Sequence, residues 1–301
     1  MTHVAVLMGG VSSEREVSLV SGEECARALE SRGFRVSRVE VGEDLPLELL
    51  ELRPDVVFNA LHGRFGEDGR IQGMLDLLGI PYTHSGVRAS AIAMHKPTAR
   101  RLFAAAGLPV PEGVVCSFAD VCRRPPFPAP FVVKPVDEGS SLGVVLVFDA
   151  GFRELEAAAF AGEQPVLVER YVAGLELTCA VLDGEPLAVT EVASRSGFYD
   201  YRAKYTPGYA QHRLPAPIAP EIYDRAMEIA AEAHRLLDCR GLTRADLRFD
   251  PARGREGLFL LEINTQPGMT PLSLAPEQAA HRGLSFPDLV VRLVELARCD
   301  R

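Results

Sequence analysis

Leu260-Leu261-Glu262-Ile263-Asn264-Thr265-Gln266-Pro267-Gly268-Met269-Thr270 sets a carboxylate and a carboxamide two residues apart in an apolar run. Strand alternation then turns both toward one face. Polar oxygens aimed together from a hydrophobic strand are costly to bury without a partner. A hard cation such as Mg²⁺ suits them, because it takes oxygen ligands and needs only one or two carboxylates when phosphate and water fill its other positions. Just upstream, Arg244-Ala245-Asp246-Leu247-Arg248-Phe249-Asp250 alternates polar and apolar residues, which predicts a half-buried strand with Arg244, Asp246, Arg248 and Asp250 on one side. The segment Pro251 to Gly257 reads as a turn and Leu258 to Ile263 as the returning strand. A hairpin folded about Gly254 makes Asp246 and Glu262 cross-strand neighbours, able to share metal ions. A bulge in the loop would make the pairing diagonal, and a solvated charged hairpin face is the plainer alternative. The Pro267-Gly268 turn directly behind the acidic residues weighs against that plainer reading.

Working outward, 301 residues suffice for two or three compact domains. Hydrophobic content of 47% and charged content of 24% describe a soluble globular chain. A net charge of −9 without a long basic run argues against nucleic acid as a partner. The cysteines, Cys25, Cys116, Cys122, Cys179, Cys239 and Cys299, are scattered without a CxxC pair, as expected of reduced cytosolic thiols. The apolar run Val4 to Met8 is too short for a signal-peptide core, and nothing approaches a membrane span. A cytoplasmic protein is expected.

The first residues read as strand Val4 to Met8, a Gly9-Gly10-Val11-Ser12-Ser13 turn, and a helix from about Glu14 to Ser31 capped by Ser12 or Ser13. Strands at Val36 to Val41 and Val56 to Phe58 and a helix from Asp68 to Leu78 follow, which predicts a parallel α/β unit. Next come a helix at Lys96 to Ala106, strands at Phe131 to Pro135 and Gly143 to Val147, a helix around Phe152 to Ala161 and a strand at Val166 to Glu169. A last α+β segment begins at Glu176, carries the hairpin, and ends in a helix from about Phe286 to Arg298. The boundaries expected are 1–90, 91–178 and 179–301.

Several segments carry chemistry. Asp137-Glu138-Gly139-Ser140-Ser141-Leu142-Gly143 can close backbone N–H groups and hydroxyls over an anion, or serve as a plain flexible turn. Lys134 interrupts an apolar strand and needs an anionic partner if buried. Glu14 can cap its helix or catch an ammonium group. The Gly9-Gly10 turn lacks the third glycine of the dinucleotide fingerprint, which argues against NAD. His62 opens a glycine-studded loop at the carboxyl edge of the sheet, where a histidine usually forms loop hydrogen bonds. The aromatic and charged Ser196 to Tyr205 stretch has the character of a lid.

Taken in order, Gly9 to Ser18, the His62 to Gly69 loop, Lys134-Pro135 with Glu138 to Ser141, Tyr199 to Tyr205, and Glu262 to Thr270 with Ser273-Leu274 resemble the D-alanine–D-alanine ligases of the ATP-grasp superfamily over nearly the whole chain. The resemblance implies α/β and α+β architecture: an ATP-grasp fold behind an N-terminal parallel, Rossmann-like α/β domain. It implies ATP near Lys96, Lys134 and Lys204, its adenine against Glu169 and Val172 and its ribose at Glu176. Two Mg²⁺ ions, or Mn²⁺ in their place, would sit on Asp246, Glu262 and Asn264. Glu14 would bind the first D-alanine, linked by hydrogen bonds to Ser140 and Tyr205, with His62 in the same substrate region. Arg244 and the backbone at Gly268 would stabilise an oxyanion, and Ser273 and Leu274 would bind the second D-alanine. The family implies an acyl phosphate intermediate, a homodimer, and a product used in peptidoglycan precursors. The departures are a long Asp250 to Gly257 loop and a small Val172. A relative that uses D-lactate or another acceptor is the alternative, and the Glu138-Gly139-Ser140-Ser141 and Tyr205 pattern resembles the dipeptide-forming type.

Overall fold

The computed structural model describes residues 1–139, 143–149, 151–156, 158–194 and 210–300. In chain order the elements begin β1 (His3–Met8), α1 (Arg15–Ser31), β2 (Arg35–Glu40), α2 (Leu45–Leu52), β3 (Val56–Asn59), α3 (Arg70–Leu78), α4 (Val87–Met94) and α5 (Lys96–Ala105). The middle holds β4 (Gly113–Ser117), α6 (Phe118–Arg123), β5 (Phe131–Pro135), β6 (Val145–Val147), α7 (Arg153–Glu156) and β7 (Pro165–Arg170). The rest comprises β8 (Leu175–Leu182), β9 (Glu185–Ser194), β10 (Ala210–Arg213), α8 (Pro220–Leu236), β11 (Leu242–Phe249), β12 (Leu258–Asn264), α9 (Leu274–His281) and α10 (Phe286–Glu295).

Among the described residues these strands form three sheets. The first is parallel in the order β2-β1-β3, and every residue of its central strand is buried. Strand alternation splits β1 between two cores: Ala5 and Leu7 join Leu45, Leu49 and Leu75 on one face, while Val4, Val6 and Met8 meet Leu29 on the other. That second core is completed by Leu289, Val290 and Leu293 of α10, which also packs on α1. The last helix therefore closes the first sheet, two hundred-odd residues after it in sequence. The middle sheet, β4-β7-β5-β6, and the large sheet, β10-β9-β8-β11-β12, are antiparallel, as their hairpin-spaced strands require.

The hairpin of β11 and β12 pairs Asp246 directly with Glu262 and Arg244 with Asn264. A bulge is present, but within the strand: the register slips after this pair, so that Leu247 faces Leu260. The slip matters because Leu258, Leu260, Glu262 and Asn264 share one parity. Without an extra residue at Leu261, two leucines and two polar ligands would compete for one face. With it, Leu258, Leu260 and Ile263 enter the core under α5 and α8, and the polar pair is turned the other way. The loop is a 3₁₀ segment, Pro251–Gly257, turned at Gly254 with φ 54°.

Two expectations need correction. The helix around Phe152 to Ala161 is a single turn, Arg153–Glu156, entered through Phe152 at φ 56°. Neither Ser12 nor Ser13 caps α1 at its N-cap position, which belongs to Glu14. The Ser12 hydroxyl donates instead to the His62 carbonyl at 2.6 Å and accepts from Glu14 N at 3.2 Å.

His84 and His234 are buried, and burial pushes each from the usual 6.5 down to about 4. Between those values the unfolded chain takes up protons that the folded chain refuses, so stability is full above pH 6.5 and falls as pH drops toward 4. Each ring is expected to remove about 2 kcal/mol between pH 7 and 5. Urea titrations at the two pH values check this. His84→Asn, which tolerates the φ of 68° at this position, should flatten the loss by about half; an unchanged slope would mean His84 does not contribute.

Candidate functional site

Two adjoining cavities share the wall formed by Lys96, Glu138 and Glu262. Lys96 begins α5, and its ammonium donates to the Glu138 carbonyl and lies 3.5 Å from Glu262 Oε2.

The first cavity lies between the middle and large sheets and is lined by Lys134, Glu169, Val172, Glu176, Asp246 and Leu261 among others. Strand β5 carries Lys134 inward with only 6% exposure, and its Nζ meets Glu169 Oε2 at 2.5 Å. Glu169, on the paired strand β7, is 3% exposed and also lies 3.4 Å from Arg100 Nε. Breaking a buried pair by removing one charge typically costs about 3–5 kcal/mol. Arg100, which the sequence reading passed over, covers that cost here: Glu169 keeps a cation if Lys134 swings to another anion. Its side chain is fixed by donating to the Pro111 carbonyl. The i, i+4 spacing of Lys96 and Arg100 on α5 was the available signal.

The second cavity is lined by Glu14, His62, Glu67, Met94, Arg244, Asn264 and Gly268 among others. Glu14 is 5% exposed at the start of α1. Two glycine backbones approach it: a Cβ on Gly63 would stand 2.8 Å from Glu14 Oε2, and one on Gly139 3.1 Å. Gly63 also adopts φ 69°, so this position suits only glycine on both counts. His62 lines the second cavity, its Nε2 3.1 Å from Ser21 Oγ and its Nδ1 3.5 Å from Glu67 Oε1.

Asp246 is gripped on both oxygens by Arg244, Nε to Oδ1 and Nη2 to Oδ2 at 2.7 Å each, and Thr178 Oγ1 donates to Oδ1 at 2.9 Å. Asn264 Oδ1 accepts from Gln266 N at 2.8 Å. Gln266, not singled out in the sequence, bridges to the first sheet: its Nε2 donates to Leu61 O, and its Oε1 accepts from Asn59 Nδ2 at 2.8 Å. Behind it, Thr270 N donates to Ser273 Oγ at 2.9 Å, which folds the turn so that Gly268 lies against Ser273. Leu274 begins α9 and is buried. Ser140, Lys204 and Tyr205, with the lid stretch 196–205, lie outside the described residues.

Among the described residues no group of three or more His, Cys, Asp or Glu could hold a metal ion by itself. Two carboxylates and a carboxamide on one face, beside a cavity lined by lysines, instead fit Mg²⁺ that is completed by phosphate oxygens. Among the same residues no helix is long and apolar enough to cross a membrane.

Residues 102–295 match the family described as D-ala D-ala ligase C-terminus, and residues 47–85 the D-ala D-ala ligase N-terminus. A D-alanine–D-alanine ligase of Parvibaculum lavamentivorans is 52% identical over 303 residues, covering 99% of this chain and 98% of the relative. One from Methylobacterium radiotolerans is 54% identical over 305 residues, with 99% of each covered. The crystal structure of the Bacillus anthracis D-alanine–D-alanine ligase complexed with ATP superposes with TM-score 0.80 at 30% identity, covering 98% of this chain and 96% of that one. The ATP-grasp architecture expected from the sequence is therefore the one observed, and the chain belongs to the D-alanine–D-alanine ligase family.

Proposed function

We propose that this chain joins two D-alanine molecules at the expense of ATP, through an acyl phosphate, to make a dipeptide for peptidoglycan precursors in the cytoplasm, and that it works as a homodimer. The observation that carries the reading is the shared wall of the two cavities. One is lined for a nucleotide and the other for an amino acid, and Lys96 and Glu262 stand where a terminal phosphoryl group would pass between them. The three-part division at 1–90, 91–178 and 179–301 belongs to this reading, with the nucleotide between the second and third parts.

In this mechanism the carboxylate of the first D-alanine attacks the γ-phosphorus and ADP leaves. The amine of the second D-alanine then attacks the acyl phosphate carbon, and phosphate departs from the tetrahedral intermediate. Phosphoryl transfer asks for positioning and charge neutralisation more than for covalent help. Lys134 turns from Glu169 to the phosphates while Arg100 holds Glu169, and Lys96 meets the terminal phosphate. Glu169 and Val172 flank the adenine, and Glu176 meets the ribose. Glu14 receives the first ammonium group, Arg244 and the Gly268 N–H face the developing oxyanion, and Ser273 and Leu274 hold the second amino acid. Asp246, Glu262 and Asn264 would hold two Mg²⁺ ions, with Mn²⁺ an alternative, and the ions would neutralise phosphate charge. Ser140 and Tyr205 complete the link to Glu14, Lys204 the phosphate contacts, and the 198–205 stretch excludes water from the acyl phosphate.

Phosphate release should require ATP and D-alanine and should not occur with L-alanine; no release with D-alanine alone overturns the reading. Adding D-lactate should yield no depsipeptide, and its formation would favour the alternative acceptor. Glu262→Gln should remain folded yet lose turnover on the order of a hundredfold or more; near-normal activity would remove Glu262 from the metal site. Gly63→Ala, with its Cβ driven against Glu14, should raise KM for D-alanine more than tenfold while KM for ATP stays near wild type. Equal changes in both constants would contradict the placement of Glu14.

A further inference from the structure

Arg248 lies on β11 two residues beyond Asp246, lines the first cavity, and is used by none of the roles above. It is 9% exposed. Its Nε donates to the Val172 carbonyl and its Nη2 to the Gly174 carbonyl, each at 3.1 Å. Nη2 also reaches Tyr171 Oη at 3.3 Å, Nη1 lies 3.5 Å from Glu176 Oε2, and the guanidinium sits 5.6 Å from the Tyr171 ring centroid. All of these partners fall within residues 171–176, the crossover that leaves β7 of the middle sheet and enters β8 of the large one. One planar fork of fixed donors thus holds both ends of a segment that lies outside either sheet until Leu175.

We propose that Arg248 is a positioning residue for the nucleotide: it holds the 171–176 crossover in the shape that meets adenine and ribose, and so sets nucleotide affinity without touching a reacting atom. The proposal rests on the ligase reading for its substrate. A crossover that is already fixed loses little conformational freedom on binding, so removing the clamp should appear in affinity before it appears in chemistry. A role confined to general stability would instead lower the melting temperature and leave the ratio of KM to kcat unchanged.

The test uses the full chain with Arg248→Met, which keeps length and removes the side-chain donors, and Arg248→Lys, which restores a single ammonium group in place of the fork. Calorimetry with Mg-ADP should show Kd weakened by about tenfold in Arg248→Met, with Arg248→Lys intermediate. KM for ATP should rise by the same factor, while kcat and KM for D-alanine stay within about twofold of wild type. A folded Arg248→Met that binds Mg-ADP like wild type, or loses kcat at unchanged KM for ATP, overturns the proposal. If Arg248→Met fails to fold, Tyr171→Phe decides: the clamp requires about a threefold weakening of Mg-ADP binding, and an unchanged Kd overturns it. Wild-type protein that fails to turn over D-alanine would sink the reaction reading, whereas the Mg-ADP titration judges the clamp alone.

Discussion

The arrangement of the site depends on one extra residue in one strand. At Leu261 the pairing of β12 with β11 slips, and the slip lets a sequence of single parity serve two faces. Leu258 and Leu260 go into the core with Ile263, while Glu262 stays opposite Asp246 and Asn264 stays opposite Arg244. Were the ladder regular, either the leucines would line a polar cavity or the ligands would be buried in a hydrocarbon core, and the second costs several kcal/mol per group. The bulge also frees Leu261 itself to line the first cavity. Core, polar face and cavity wall thus come from seven consecutive residues.

From that strand outward, the site is held by charges that satisfy one another when no ligand is bound. Arg244 occupies both oxygens of Asp246, and Lys134 and Arg100 share Glu169. In the proposed reaction Lys134 leaves Glu169 and Asp246 takes on cations, while Arg100 keeps Glu169 paired. Substrate phosphates and cations replace partners already present, so the desolvation cost of gathering these charges is met on folding rather than on binding.

Much of this was legible in the sequence. The β11–β12 hairpin, the Asp246–Glu262 pairing, Lys134 as a buried cation and the parallel first sheet all follow from strand periodicity and the burial cost of charge. Of the quoted motifs, Glu14, His62, Glu67, Lys134, Pro135, Glu138, Gly139, Glu262, Asn264 and Gly268 line the two cavities. What was hidden has physical reasons. A bulge leaves no mark on composition, since Leu261 resembles its neighbours. Gln266 and Arg248 act through backbone carbonyls far away in sequence, so nothing local announces them. The expected helix is instead the single turn 153–156, entered through Phe152 in a left-handed backbone, which composition does not announce.

The packing of α10 against α1 and β1 has a consequence for how the chain reaches this state. Val4, Val6 and Met8 share one core with Cys25, Ala26 and Leu29 of α1 and with Leu289, Val290 and Leu293 of α10. On a chain emerging from its N-terminus, the first strand and helix therefore meet each other early, while the side of their shared core that α10 closes stays uncovered. Contacts of such separation slow folding and leave hydrophobic surface exposed in the meantime. The first sheet is thus the earliest element to be synthesised and among the last to be completed, and a nascent chain must be kept from aggregating until α10 has docked.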